Sequence, residues 1–337
     1  MVRDSLSHCL KETSNSQRKS ERIPEYPLTG KEPYVFRAEK PGDLPDVHAD
    51  LMRKTLRHDE GILYLLYSPI SPEENGPFGL SATPGSHSVA VTKRRFVISE
   101  NQHRKGAVPT IQSIPFRQVL YVELGNALFF GWFSIQFVVD NKPSCAALFF
   151  PASTGMSHFG IAVQKYRSMT GSAYDQLSVD TIDWADIWRH TPKTEVDHVK
   201  PLIIRKELPF NMLRSSERWI LRKRLRKSIP VYLSRNGILV STNFGLIHAT
   251  DEPCTRPEIF GFGVNASCIA FDGLKSAQLL QKSMNGRSLC FLQLKIARRK
   301  VTIDFDIPFD SNSLRDAESL VYFINRDMPS DEEARIS

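Results

Sequence analysis

The chain has 337 residues, of which 41% are hydrophobic and 24% are charged, as in an ordinary globular protein with a sizeable core. At this length two or three domains are expected. The net charge of +7 is spread along the chain with one dense cluster, so it favours acidic partners only mildly. The five cysteines form no C-x-x-C pair, which excludes the usual zinc-site and disulfide spacings and predicts a reducing, cytoplasmic setting.

The two ends of the chain are predicted to be disordered. Residues 1–45 are polar and have no apolar period, and residues 327–337 form an acidic tail. The N-terminal segment also lacks the apolar core that a signal peptide needs. Between the ends, the longest apolar run covers 127–139. It is shorter than the roughly 20 residues that span a bilayer, so it predicts a buried strand and no transmembrane segment.

An internal repeat is the most informative pattern in the chain. The segment VAVTKRRFVIS at 89–99 aligns without gaps with VYLSRNGILVS at 231–241. Each copy predicts a hairpin of two strands around a short polar turn. In the second copy the turn is Asn236-Gly237, a pair that favours hairpins because both residues tolerate a positive φ.

The repeat continues towards the C-terminus. Residues 133–151 align with 290–308, and each segment predicts two strands around a polar turn. An amphipathic helix follows in each copy, at 155–169 and at 313–326. This order predicts a fold of the α+β or mainly β class, with two antiparallel barrel-sandwich units that are each closed by a C-terminal helix.

The repeat also sets the expected domain boundaries. The first unit is predicted over 60–170 and the second over 229–326. A partly helical linker is expected between them, at 171–228. Within it, Trp184 and Trp188 are four residues apart, which predicts a buried pair on one helix.

The first copy resembles bacterial pleckstrin-homology-like (PH-like) domains. Those domains commonly carry a Thr-x-x-Arg strand pair and, later, an Ile-Pro strand. The matching residues in this sequence are Thr92, Arg95, Ile114, Pro115 and Val119. The second copy departs from the pattern, because Gly237 stands where Arg95 stood and VNASCIAF carries no proline. The resemblance implies a tandem of PH-like domains, with the first copy the better match.

No motif predicts catalysis, and no cofactor or metal is expected. GFGVNA at 261–266 has the letters of a dinucleotide-binding turn, but a strand-like segment follows where that turn requires a helix. Asp304 and Asp306 share one face of a predicted strand, as a Mg²⁺ or Ca²⁺ site needs, yet their alternation with apolar residues predicts that they face water. Ser157 and His158 are adjacent in a helix and point about 100° apart, so they do not pair.

Two basic clusters are the candidate binding sites. One is the tip of the first predicted hairpin, and the other is the stretch 214–227, predicted as a helix that packs its apolar residues and solvates its cations. In eukaryotic PH domains, basic residues on and beside a hairpin loop bind phosphoinositide headgroups, so the resemblance implies an anionic ligand. The candidate ligand-binding residues are Lys93, Arg94, Arg95, Arg218, Arg222, Lys223, Arg224, Arg226 and Lys227.

The sequence therefore predicts a non-enzymatic binding or scaffold protein. Its two PH-like units would hold a protein or peptide partner, or an anionic phospholipid headgroup surface at the inner face of the membrane. Two alternatives stay open. One is nucleic-acid binding through the basic helix at 214–227, which would be strongly salt-dependent. The other is an enzyme of a class that the motifs do not identify.

Overall fold

The computed structural model describes residues 34–57, 59–69, 85–102, 107–127, 130–171, 181–215, 218–224, 227–234, 236–253, 262–284 and 287–326. Over these ranges the protein is mainly β, with antiparallel sheets and few helices, as the sequence predicts. No sheet of the described strands closes into a barrel, so that part of the prediction is not met. The sheets stay open and pack face to face instead.

The strands of the described ranges pair antiparallel throughout. They are β1 (Phe36–Ala38), β2 (Ile62–Ser68), β3 (Gly85–Thr92), β4 (Arg95–Gln102), β5 (Thr110–Pro115), β6 (Val119–Ala127), β7 (Phe130–Val139), β8 (Lys142–Pro151), β9 (Pro209–Ser215), β10 (Arg218–Arg224), β11 (Lys227–Ser234), β12 (Gly237–Thr242), β13 (Gly245–Pro253), β14 (Phe262–Ile269), β15 (Leu274–Met284), β16 (Arg287–Arg298) and β17 (Val301–Phe309).

The helices lie between and after these strands. They are α1 (Asp46–Thr55), α2 (Ala152–Thr170), α3 (Trp184–Arg189), α4 (Lys193–Val199) and α5 (Leu314–Arg326). Two single 3-10 turns, Phe116–Gln118 and Phe271–Gly273, lead from β5 into β6 and from β14 into β15. No helix in the described part of the chain is long and apolar enough to cross a membrane.

A seven-stranded sheet forms the centre of the molecule. Its order is β8-β7-β6-β14-β13-β12-β9, so three strands come from the first half of the chain and four from the second. The junction is the β6–β14 pair, which runs from Val122 opposite Cys268 to Ala127 opposite Gly263. A five-stranded sheet of β1 to β5 and a three-stranded sheet of β15 to β17 complete the layers.

Strand alternation divides the apolar side chains of the central sheet between two cores. Val240 packs with Phe96 and Phe133 into the core that the five-stranded sheet and α2 cover. The preceding residue, Leu239, packs with Phe305 into the core that β15 to β17 and α5 cover. A third, smaller core lies between α1 and the outer face of the five-stranded sheet. Both faces of the central sheet are therefore buried.

Several predicted elements are confirmed. The apolar run 127–139 contains β7, and the predicted amphipathic helix at 155–169 lies within α2, which buries a stripe of Phe159, Ala162, Val163 and Tyr166. Trp184 and Trp188 stack with their ring centroids 4.8 Å apart and are half-buried. These features were predictable because each depends on a local period of apolar residues.

The predicted boundaries of order need correction at the N-terminus. Residues 1–33 lie outside the described residues, but 34–45 include β1 and bury Val35, Ala38 and Leu44. The predicted disorder over 1–45 therefore fails from residue 34 onward. The reason is tertiary: β1 is only three residues long, and it is ordered because it pairs with Tyr67, Leu66 and Leu65 of β2.

The segment 171–228, predicted as a partly helical linker, contains two helices in its described part but is packed into the fold. Helices α3 and α4 bury Ile187, Val196 and Val199, and β9 is an edge strand of the central sheet. The stretch 214–227, predicted as a helix, contains the end of β9, strand β10 and the start of β11. The aromatic and β-branched residues of this stretch suit a strand, and Pro230 forbids a helix across β11.

The repeat alignment itself is displaced in the second copy. Strand β11 pairs with β10, and β12 pairs with β9 and β13, so the predicted hairpin around Asn236-Gly237 does not form. The β3–β4 turn corresponds instead to the β12–β13 turn. The hydroxyl oxygen of Thr92 accepts the N–H of Arg94 at 3.2 Å, and that of Thr242 accepts the N–H of Phe244 at 3.1 Å. The residue at the position of Arg95 is therefore Gly245, not Gly237.

Candidate anion-binding hairpin

The densest positive charge of the chain lies on a hairpin that stands apart from the sheets. Strands β10 and β11 pair antiparallel, from Trp219 opposite Tyr232 to Arg224 opposite Lys227, with an irregularity next to Arg218. Neither strand pairs with any other strand in the described ranges. At about 3.3 Å per residue, its strands extend roughly 20 Å. We call residues 218–234 the arm.

The arm leaves the central sheet between two strands that pair with each other. Strands β9 and β12 are in register as far as Ser215 opposite Gly237. Beyond that pair, the N–H of Asp251 donates to the carbonyl of Asn236 at 3.0 Å. A Cβ on Gly237 would lie 2.8 Å from the carbonyl oxygen of Ala249, so only glycine fits where the chain re-enters the sheet. The base of the arm is therefore fixed by the fold.

The arm has six cationic residues and no acidic residue. Without these six, the net charge of the chain would be +1 instead of +7. The register places Arg224 directly opposite Lys227, and like charges directly opposite each other in an antiparallel pair are destabilising. The cations are the predicted Arg218, Arg222, Lys223, Arg224, Arg226 and Lys227, of which Arg226 lies outside the described residues.

The predicted cluster at the β3–β4 turn is in a different place, on the five-stranded sheet. Lys93 and Arg94 are exposed, and neither side chain makes a hydrogen bond or ion pair with the described residues around it. The turn itself is fixed by Thr92, whose hydroxyl donates to the carbonyl of Arg95 at 3.0 Å. Lys93 and Arg94 can therefore contact an anion without a cost to the fold.

Arg95 has a structural role instead. Its Nε donates to Glu60 Oε1 at 2.7 Å, a terminal nitrogen donates to Glu60 Oε2, and the other terminal nitrogen donates to Ser113 Oγ at 2.8 Å. The carbonyl of Thr55 accepts a further bond at 3.1 Å. The Arg95 guanidinium holds the pKa of Glu60 at about 2, against the opposing effect of burial. Because four of its five N–H donors bind Glu60, Ser113 and Thr55, Arg95 is left out of the ligand-binding residues proposed below.

The other motifs have the following contacts in the described part of the chain. Asp306 accepts hydrogen bonds from Lys282 Nζ at 2.6 Å and from Gln293 Nε2 at 2.8 Å, on a strand surface. His158 Nδ1 is 2.8 Å from the hydroxyl of Tyr64, not paired with Ser157. Residues 262–269 of the GFGVNA region are strand β14, without the strand-to-helix turn that a dinucleotide needs. No group of three metal-ligating side chains occurs in the part of the chain that the structure describes.

Sequence reasoning missed the returning strand of the arm. The sequence pattern predicts residues 228–230 between a helix and a strand, whereas they pair with Lys223, Arg222 and Leu221 of β10. A signal was present, because Pro230 is flanked by Ile229 and Val231, an arrangement that suits an edge strand and not a helix end. This local signal does not show which strand pairs with residues 228–230, so the sequence alone could not establish the hairpin with β10.

No protein-family model matches the chain, and no curated protein matches it significantly.

Proposed function

We propose that this protein is a non-enzymatic binding protein of two PH-like units that attaches to an anionic phospholipid surface through the arm. The observation that carries the proposal is a hairpin outside the sheets with six cations, no acidic residue and a directly opposed Arg224–Lys227 pair. Such a pair costs free energy in the isolated protein, and an anionic surface removes that cost by neutralising both charges.

The repeated order of elements supports the PH-like part of the proposal. In the first half, β2 to β5 are followed by the 3-10 turn Phe116–Gln118, β6 to β8 and helix α2. In the second half, β9 and β12 to β14 are followed by the turn Phe271–Gly273, β15 to β17 and helix α5. We call these the first and second units. The arm is then an insertion between the first two strands of the second unit.

The composition of the arm favours a membrane over a nucleic acid. Trp219 stands opposite Tyr232 in the register, and these two residue types are enriched where a protein meets the headgroup region. Cationic residues near an anionic leaflet contribute about 1 kcal/mol each. Six of them are sufficient for salt-sensitive, reversible attachment without any membrane-spanning helix.

Vesicle co-sedimentation tests the proposal. The full chain is mixed with vesicles of phosphatidylcholine alone or with roughly 30% phosphatidylserine, at low and high salt. We expect binding only to the anionic vesicles. Binding of Arg222→Glu/Arg224→Glu should be at least about thirtyfold weaker, because two cations at about 1 kcal/mol each are lost and two acidic residues repel the surface. The matched control is Lys142→Glu/Lys300→Glu, which reverses two exposed charges at turns of the sheets and should bind like the parent.

Equal binding by the arm variant and the parent would overturn the proposal. A mobility-shift experiment with duplex DNA separates the remaining alternative. Strong DNA binding by the parent without vesicle binding would replace the membrane by a nucleic acid as the partner, since both carry phosphates.

A further inference from the structure

The two units close one equivalent turn in two different ways. In the first unit, Glu60 stands two residues before β2 and its N–H donates to the carbonyl of Arg57 at 3.0 Å. In the second unit, Glu207 stands two residues before β9 and its N–H donates to the carbonyl of Ile204 at 3.0 Å. Glu60 and Glu207 therefore occupy the same position of the repeat.

The partner of the first glutamate cannot exist at the equivalent place in the second unit. Arg95 follows Thr92 by three residues and binds Glu60. Three residues after Thr242 stands Gly245, with φ at +116°, where a side chain would be strained. An added Cβ would also lie 2.5 Å from the carbonyl oxygen of Ile269. The second unit thus has a glutamate and a threonine at this turn but no arginine of its own.

The missing guanidinium comes from the first unit. Arg167, near the end of helix α2, is 2% exposed, and its two terminal nitrogens bind both carboxylate oxygens of Glu207, one of them at 3.1 Å. It also donates to Thr242 Oγ1 at 3.3 Å and to the carbonyl of Leu202 at 2.6 Å. Every one of these partners lies outside the first unit.

Helix α2 also ends directly on the β12–β13 turn. A Cβ on Gly171, which follows the helix, would lie 2.6 Å from the Cα of Phe244. The contact is backbone to backbone, so no side-chain movement can relieve it. The end of α2, Arg167 and the turn of the second unit therefore form one buried contact, which we call the clasp.

We infer that the second unit is not an independent domain: it is completed by Arg167 of the first unit, which anchors the β9–β12 pair that carries the arm. The clasp connects Glu207, two residues before β9, with Thr242, the last residue of β12, and those two strands are the base of the arm. The first unit closes its own turn through Arg95 and needs no such help. This inference does not depend on what the arm binds.

Hydrogen exchange on the full chain tests this dependence. In Arg167→Met the amides of β9 and β12 should exchange about tenfold faster or more than in the parent, because a buried carboxylate loses its charged partner. The amides of β3 and β4 should change much less. The matched control is Arg95→Met, which should show the reverse distribution, with faster exchange in β2 to β4 and little change in β9 and β12.

Unchanged exchange of β9 and β12 in Arg167→Met would overturn the inference, and so would an equal increase in both units. If Arg167→Met gives no folded protein, Arg167→Lys replaces it, because lysine keeps the charge but loses the two-point geometry. In that variant, faster exchange in β9 and β12 than in β3 and β4 supports the clasp. Equal acceleration of the two regions refutes it.

Discussion

The ion pair between Arg95 and Glu60 gives the sharpest prediction about stability. The pair is mostly buried, with side-chain exposures of 20% and 12%. The pKa of Glu60 falls from 4.5 to about 2 in the folded protein, first because of the hydrogen bond from Arg95. That difference corresponds to about 3 kcal/mol in the free energy of unfolding at neutral pH. Arg95→Met should remove this contribution.

The contribution has a defined pH dependence. Because the folded pKa lies below the unfolded pKa, the stabilisation is complete above about pH 5 and is lost as the pH falls towards 2. Of the total, about 2 kcal/mol should already be lost at pH 3. The difference in unfolding free energy between the parent and Arg95→Met should therefore shrink by that amount between pH 7 and pH 3. Urea denaturation at a series of pH values, followed by tryptophan fluorescence, measures it.

A surface ion pair is the control for this experiment. Arg53 and Asp50 are paired at 3.1 Å with exposures of 56% and 64%, so Arg53→Met should change the unfolding free energy by less than about 1 kcal/mol at any pH. A difference between the parent and Arg95→Met that stays constant from pH 7 to pH 3 would refute the assignment of the Glu60 pKa to Arg95. The lost bonds to Ser113 and Thr55 would then account for the whole effect, since they do not titrate.

Two further predictions concern the arm and the junction of the units. Replacing residues 216–236 by Asn-Gly should shift the melting temperature by less than about 4 °C in calorimetry, because β9 and β12 pair directly with each other. If the shortened protein lost its cooperative melting transition, the prediction that folding does not need the arm would be wrong. Gly125→Ala should destabilise the protein by about 1–3 kcal/mol, because the new Cβ would lie 2.1 Å from the Trp132 ring. It should also change tryptophan fluorescence, since Trp132 Nε1 donates to Asn265 Oδ1 at 3.2 Å. Gly61→Ala, which meets only the flexible end of Lys93 at 3.3 Å, should be nearly neutral in denaturant unfolding, and an equal effect of the two substitutions would refute the steric explanation.

The predictions that held depend on local patterns. The continuous apolar run over 130–139 and the apolar stripe of α2, which recurs every 3.6 residues, are visible in a short window of the sequence. The order of strands and a closing helix in each half followed from the same patterns. The alignment of the second copy was wrong at its first hairpin. Because the arm is inserted between β9 and β12, an alignment without gaps matched β11 with β3, whereas the strand equivalent to β3 is β12.

The sequence by itself determined the class of the fold, the repeat and the presence of a dense basic stretch, since composition and periodicity are properties of neighbouring residues. The tertiary structure decided which strands meet. It joined the units through β6 and β14, turned the basic stretch from a helix into a hairpin, and paired Arg95 with Glu60. It also brought Arg167 to Glu207, forty positions away. Pairings at such separations depend on the packing of the whole chain, and no local pattern encodes them.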